Sequence, residues 1–142
     1  MDNKANFQID DKDFPFVTVR INDTMTEDFN RFLLERWTGW LQQNKPFCML
    51  HFYGGSDSRQ SAAVKKMRKR WIKENRPLVK KNMAGLAMVV KSKAILEKMR
   101  LMVGKENRRV FGCPRNVFSW EEEAMAKKWL QKQMDAFQKS SI

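Results

Sequence analysis

The side chains best able to do chemistry in this chain are one histidine and two cysteines. His51 and Cys48 lie in the apolar run Phe47–Tyr53, and Cys113 lies in a second apolar run. A nucleophilic cysteine needs a histidine as its base and a third group that orients that histidine. Neither cysteine has a histidine at such a spacing, and a zinc site would need more ligands. We therefore predict a hydrogen-bonded core or sheet-edge histidine and two free core thiols, with no bound metal.

A loop rich in glycine and serine follows this run, at residues 54–58. The backbone N–H groups of such a loop can cradle an anion when a helix follows. The loop lacks the spacing of a phosphate-binding loop with its Gly-Lys-Ser/Thr ending, and it also lacks a dinucleotide fingerprint. The sequence favours a plain turn in which a Ser or Asp caps the next helix. It leaves a phosphorylation or anion site at Ser56 and Ser58 as the alternative.

Three aspartates near the start of the chain, Asp10, Asp11 and Asp13, form a small acidic cluster. Such a cluster could chelate a cation weakly, but the pattern favours carboxylates that solvate a loop or meet a basic surface. No acid–base pair and no nucleophile set emerges elsewhere in the sequence. We therefore expect a protein that is not an enzyme and that uses no cofactor.

The strongest local signal is a run of basic residues in the segment 65–81. Successive helical residues are about 100° apart, and on that projection most of the bases fall within an arc of about 160°. Arg68 is the exception, because it falls on the apolar side with Trp71. The pattern predicts an amphipathic helix with a cationic outer face. The residues of that face that we single out for partner binding are Lys65, Lys66, Lys69, Arg70, Lys73 and Arg76.

Three interpretations of this cationic face remain open. The face meets an acidic protein or a sibling subunit, it grips the phosphates of nucleic acid in a salt-dependent manner, or it only solvates the helix. Trp71 lies on the apolar arc and is therefore not placed to stack bases among the lysines. No zinc-ligand spacing, RNP-type motif or helix-turn-helix pattern is present. An acidic protein partner is favoured, with nucleic acid as the alternative and association with anionic lipid as a third hypothesis. Trp120, beside Ser119, is the tryptophan most suited to an exposed interface anchor.

The charge of the chain is strongly polarised along its length. The formal net charge is +12. Residues 58–109 carry seventeen bases against three acids, whereas residues 1–28 carry three bases against seven acids. A field of one sign on one part of a surface attracts a partner of the opposite sign.

The apolar segments are too short for a membrane span. The longest, Ala84–Val90, has seven residues, and a span needs about 20. The segment Met1–Asp13 is polar and acidic, unlike a secretory signal. Two cysteines do not make a disulfide framework, and free core thiols suit a reducing compartment. We expect a cytoplasmic protein, and a homo-oligomer is compatible with these features.

The hydrophobic period alternates between strand and helix along the chain. Strands are predicted at residues 14–21, 47–53, 84–90 and 109–113, with a short partner strand at 7–9. Helices are predicted from Thr24 to about Lys45, from about Arg59 toward Asn75 with a kink or end at Pro77, from Ser92 to Gly104, and from Ser119 to about Gln138. This order implies an α/β fold with a mostly parallel or mixed sheet of four to five strands and about four helices. We assign residues 13–138 to one domain, preceded by a polar segment at 1–12 and followed by a tail at 139–142.

The order and lengths of these elements resemble the STAS domain, the fold of the bacterial anti-sigma-factor antagonists known as SpoIIAA-like proteins. The resemblance spans roughly Phe14 to Gln131. The segments that carry it are the strand Pro15–Val19, the strand and loop Phe47–Ser58, the strand Ala84–Val90 and the closing segment Val117–Leu130.

The resemblance implies a module that binds protein partners and does no chemistry. In this family a phosphorylatable Ser or Thr follows an Asp where the second helix begins, and Asp57 and Ser58 stand at about that place with Ser56 beside them. The chain departs from the family where Arg59-Gln60 replaces a Ser-Gly continuation. The expected function is a regulatory or scaffolding role, with the basic helix and the adjacent Gly/Ser loop as the contact surface.

Overall fold

The computed structural model describes residues 7–55, 61–105 and 108–140. Its elements follow the predicted alternation of strands and helices. They are β1 (Phe7–Asp10), β2 (Phe16–Ile21), α1 (Glu27–Gln42), β3 (Phe47–Tyr53), α2 (Ala62–Asn82), β4 (Met83–Val90), α3 (Lys93–Lys105), α4 (Arg108–Phe111), β5 (Arg115–Ser119), a 3₁₀ turn (Trp120–Glu122) and α5 (Glu123–Ser140).

The strands form one mixed sheet whose spatial order β1-β2-β3-β4-β5 equals their order in the chain. β1 pairs antiparallel with β2, and the remaining pairs are parallel. The predicted α/β fold, with its mixed five-stranded sheet and four long helices, is confirmed. Each parallel pair needs a crossover that returns the chain to the same end of the sheet, and the helices provide these crossovers.

The sheet separates two apolar layers. Trp37 of α1, Trp71 of α2 and Ile95 of α3 belong to the cluster on one face. Leu130 and Met134 of α5 belong to the cluster on the other face. The strands between these layers are buried on both sides, which explains the nearly continuous apolar runs of β3 and β4.

α2 continues through Pro77 to Asn82, whereas the sequence predicted a kink or an end there. Proline removes one helical hydrogen bond, and it ends a helix when nothing else holds the following turn. Here the turn after Pro77 is held by packing and by a hydrogen bond: Val79 is fully buried, and Asn82 Nδ2 donates to the Leu41 carbonyl at 2.9 Å. Contacts with α1 therefore carry the helix past the proline.

The prediction of a strand at residues 109–113 is wrong. The chain forms the single helical turn α4 there, and β5 begins after Pro114. Gly112 has a positive φ of 111°, and a Cβ at this position would lie 3.0 Å from Val79 Cγ1. The segment therefore bends against α2 at a position that only glycine fills without strain, which an extended strand cannot do.

Several boundaries differ from the prediction by a few residues. α1 is capped by Thr26, whose Oγ1 accepts from the Phe29 N–H at 3.1 Å, instead of by Thr24. β1 adds residues of the segment 1–12 to the sheet, and α5 runs on to Ser140. The sheet and its last helix therefore extend into both segments placed outside the domain.

The edge strand β5 has side-chain acceptors beside its outer backbone. Leu86 N–H donates to the Pro114 carbonyl, so Val117 and Ser119 turn their N–H groups away from β4. The Val117 N–H donates to Asn116 Oδ1 at 2.9 Å. The Ser119 N–H donates to Glu122 Oε1 at 2.8 Å, within the predicted capping box.

Candidate interaction surface

The cationic face of α2 is formed by Lys65, Lys66, Lys69, Arg70 and Lys73, all of them exposed. The helix begins at the cap residue Ser61, whose Oγ accepts from the Val64 N–H at 3.1 Å. Val64, Trp71 and Val79 are buried on its opposite side. The amphipathic pattern of the sequence therefore fixes how the helix is rotated on the sheet.

The cations of this face have no acidic partner among the described residues. The ion pairs in that part of the chain lie elsewhere: Arg31–Asp28, Arg36–Asp11, Arg100–Glu122 and Lys127–Glu123. Like charges on one helix face repel one another in the free protein. A partner that brings carboxylates or phosphates would relieve this repulsion.

Arg76 differs from the other residues singled out on this helix. Its Nε donates to the Val110 carbonyl at 2.7 Å, and its side chain is half-buried. This guanidinium therefore holds α4 against α2. The structure brings Lys65, Lys66, Lys69, Arg70 and Lys73 together on an exposed face and gives Arg76 a role within the fold.

Beside the cationic face, α1 and α2 enclose an open groove of about 760 Å³, which we call the helix groove. Its lining residues come from both helices: Arg31, Leu34, Glu35, Thr38, Lys66, Met67, Arg70, Trp71, Glu74 and Asn75. Asn30 lies next to Met67 and Thr38 next to Trp71. The two helices therefore run in the same direction along the groove.

The floor of the helix groove is apolar and firmly held. Trp71 is 8% exposed, and its Nε1 donates to Thr38 Oγ1 at 2.9 Å. The same hydroxyl donates to the Leu34 carbonyl at 2.8 Å. The Trp71 ring lies 4.8 Å from the Trp37 ring, between ring centroids. The hydrogen bond to Thr38 and the packing against Trp37 fix the indole, so it forms part of the floor and does not swing out as a stacking platform.

Sequence reasoning found the cationic face but not the helix groove. The contribution of α1 is a stripe of four residues, Arg31, Leu34, Glu35 and Thr38, at helical spacing. Such a stripe also marks the core side of a helix, and the sequence does not state which helix lies beside it. The clue available in the sequence was the position of Met67 at the margin between the apolar and cationic arcs of α2.

Trp120 is exposed, as the sequence predicted, with 39% of its surface accessible. Its ring lies 5.9 Å from the Phe52 ring, and Lys91 Nζ lies 6.0 Å from its centroid. Phe52 belongs to the apolar layer beneath α5, whereas α2 packs into the other layer. The structure therefore does not bring Trp120 together with the cationic face.

His51 is a core residue, with 1% of its surface exposed. Its Nδ1 lies 3.4 Å from the Tyr53 hydroxyl, and its Nε2 is buried without a hydrogen-bond partner among the described residues. Burial, and to a smaller extent the charge of Arg68, lowers the pKa of the ring to about 3. A ring held neutral in the core cannot reach a substrate as a general base.

Both cysteines are buried, as predicted, and the two are not joined in a disulfide. Burial raises the pKa of the Cys48 thiol to about 12. The thiolate is the reactive form of cysteine, and this environment suppresses it.

Within the acidic cluster, Asp11 is bound to α1. Its Oδ2 accepts from Arg36 Nη2 at 2.6 Å and from Trp40 Nε1 at 3.2 Å. Burial raises the pKa of the carboxyl, but the hydrogen bonds from Trp40 and Arg36 and the charge of Arg36 outweigh it, so the pKa lies below its usual value. Within the described part of the chain, no group of three acidic, histidine or cysteine side chains is arranged to hold a metal ion.

Ser56 and Ser58 lie outside the described residues, so their role as a phosphorylation or anion site stays a prediction. The loop leaves β3 at Gly54, whose N–H donates to the Ile21 carbonyl at 3.0 Å. A Cβ on Gly54 would collide with the Asn22 side chain. The loop therefore passes close to the end of β2, and a larger residue at position 54 would require the Asn22 side chain to move.

In the described part of the chain, no helix has the length and apolar character needed to cross a membrane. Comparisons with protein-family models, with curated proteins and with solved structures return no match for this chain.

Proposed function

We propose that this chain is a non-enzymatic regulatory or scaffolding module of the STAS-like kind, which binds an acidic protein partner through the cationic face of α2. The observation that carries the proposal is a set of cations, Lys66 and Arg70 among them, that have no acidic partner among the described residues and lie on the rim of a groove with an apolar floor. Protein interfaces combine an apolar centre with a polar rim. Electrostatic attraction across such a rim speeds the encounter and selects the partner.

The same geometry favours a protein over nucleic acid. Single-stranded nucleic acid is bound by stacking on aromatic rings, but the Trp71 indole is buried and its N–H is bonded to Thr38. Glu35 and Glu74 also line the groove, so its surface combines charges of both signs with apolar side chains. A helix or loop of a protein can present apolar and charged side chains together, which matches this mixed surface.

The non-enzymatic part of the proposal is supported by the state of the reactive side chains. His51 is buried with a depressed pKa, and Cys48 is buried with a raised pKa. Buried thiols that are not joined in a disulfide also suit a reducing compartment such as the cytoplasm, where we place the protein. The STAS resemblance supplies the same expectation of partner binding without chemistry.

The test is a capture experiment from the lysate of the native host, with and without nuclease, in which bound proteins are identified by mass spectrometry. The bait is the full chain, compared with the variant in which Lys66, Lys69 and Lys73 are all changed to Glu. A matched control carries the same changes at Lys128, Lys132 and Lys139, which are exposed on α5 across the sheet.

We expect a defined protein that survives nuclease, is lost with the α2 variant and is kept with the α5 variant. An untagged copy of this chain as the captured protein would identify a sibling subunit as the partner. If only nucleic-acid fragments are captured, or if both variants lose binding equally, the proposal is wrong. Capture of nucleic-acid fragments alone would show that the cationic face binds phosphates.

A further inference from the structure

The helix groove repeats its lining residues at the spacing of helical turns. On α1 the lining positions are 31, 34, 35 and 38, and on α2 they are 66, 67, 70, 71, 74 and 75. With a rise of about 1.5 Å per residue, the groove extends for about 10 Å along α1 and about 13 Å along α2. Side chains of a third helix that recur every three or four residues would enter such a groove in register.

The charges along the groove are unevenly placed. Because the two helices run in the same direction, Arg31 and Lys66 lie toward their amino-terminal ends. Arg70 and Glu35 lie near the middle of the groove, and Glu74 lies toward the other end. The cationic end is enlarged by the exposed Lys65 and Lys69 on the adjoining cationic face. A ligand that fits this groove carries acidic side chains at the cationic end and apolar side chains over the floor.

We propose that the helix groove binds an amphipathic helix of a partner protein, with its apolar side on Leu34, Met67 and Trp71. Carboxylates of that helix pair with Arg31, Lys66 and Arg70. This inference rests on the proposed function and names the form of the acidic partner. A helix laid into a groove is anchored by apolar residues at positions i, i+3 or i+4, and i+7. The two turns of lining residues on each side of the groove match that set of anchors.

The probe is a synthetic helix of about fourteen residues, which is long enough to span the groove. It carries leucines at i, i+4 and i+7 and glutamates beside them, and a covalent bridge on its outer side holds it helical. One control peptide has the same composition with the leucines spread around the helix. A second control has glutamine in place of every glutamate. Binding of each labelled peptide to the full chain is measured by fluorescence anisotropy at several salt concentrations.

Four single substitutions on α2 distinguish groove binding from general attraction. Lys66→Glu and Arg70→Glu alter the rim of the groove, whereas Lys69→Glu and Lys73→Glu make the same change on exposed positions outside it. We expect the rim variants to weaken peptide binding about tenfold and the outer variants about twofold, because close charge pairs contribute more than distant ones. Met67→Gln, which keeps the side-chain length, is expected to weaken binding about fivefold by removing apolar contact.

The outcomes separate this inference from the proposed function. If the outer variants weaken binding as much as the rim variants, or the scrambled peptide binds as well as the ordered one, the groove does not take a helix. The same conclusion follows if the bridged peptide does not bind, and the capture experiment then still stands as the test of the proposed function. If an oligonucleotide displaces the peptide at equal charge concentration, the groove is not selective for a protein helix. Far-ultraviolet circular dichroism confirms that each variant is folded.

Discussion

A single carboxylate, that of Asp11, ties the turn between β1 and β2 to α1. We expect Asp11→Asn to lower the free energy of unfolding at pH 7 by about 1 kcal/mol, because the charge-assisted hydrogen bonds of Arg36 and Trp40 are weakened. The value is small because both side chains of the ion pair are more than one-third exposed and solvent screens the pair. Urea unfolding measures the change.

The depressed pKa of Asp11 fixes the sign of the pH dependence. The carboxyl binds a proton more readily in the unfolded chain, so its contribution is present above the unfolded pKa of about 3.9 and is lost as pH falls through the lower folded value. The difference between wild type and Asp11→Asn should therefore narrow at acid pH. The same substitution at the exposed Asp13 is the control and should change little. A constant difference down to pH 2 would contradict this assignment.

The His51 ring gives the core a second dependence on pH. Its folded pKa of about 3 lies below the unfolded value of about 6.5, so the unfolded chain gains a proton first as pH falls. The contribution of the neutral His51 ring to the free energy of unfolding is therefore fully present above about pH 6.5. It declines below that pH, by about 2 kcal/mol at pH 5. Urea unfolding at pH 7.5 and 5.0 measures this loss, and His51→Leu should remove most of it.

Nuclear magnetic resonance tests the same assignment in the wild-type protein. The ring protons of His51 should keep their chemical shifts between pH 8 and pH 5. A titration with a midpoint near 6.5 would show that the ring is accessible to protons in the folded state and would overturn the prediction.

At the scale of elements, α2 contains a proline that its neighbours tolerate. Pro77→Ala should raise the free energy of unfolding by about 1–2 kcal/mol, because a helical hydrogen bond is restored, although the unfolded chain gains freedom. Thermal unfolding measures the change. Pro46→Ala, in the connection before β3, is the control and should not stabilise. A destabilised Pro77→Ala variant would mean that the helix geometry depends on the proline ring.

Periodicity predicted most elements correctly because each buried face repeats at a fixed spacing along the chain. β3 was predicted at its observed bounds, since an apolar run of seven residues buried on both faces has no competing pattern. The sequence failed where a distant contact decided the outcome. Asn82 holds α2 past Pro77 by bonding to α1, and Gly112 bends against Val79. Neither contact can be predicted from the residues that lie nearby in the sequence.

For the candidate site too, the sequence predicted what lies within one element and missed what depends on two. The cationic face of α2 follows from charge and helical spacing within one element. The helix groove needs two elements, and α1 contributes its side of it only because the crossovers place α1 beside α2. Single-helix reasoning also placed Arg76 on the cationic face, although its Nε bonds to the carbonyl of Val110, thirty-four positions away in the chain.

At the scale of the whole molecule, both thiols are sealed by the two layers of helices. Cys48 lies in the layer under α5, and Cys113 lies in the opposite layer. In the native state neither should react with a thiol reagent such as DTNB faster than the protein opens, because reaction needs an exposed thiolate. The rate should rise with urea in step with unfolding. Rapid modification without urea would show that one layer opens locally.

The closed edge of β5 bears on how this protein can assemble. An added strand needs free N–H groups along the edge it joins, and those of Val117 and Ser119 are already bonded to Asn116 and Glu122. A partner strand would have to displace both acceptors before it gained a bond. The β5 end of the sheet is therefore a poor template for polymerisation by strand addition.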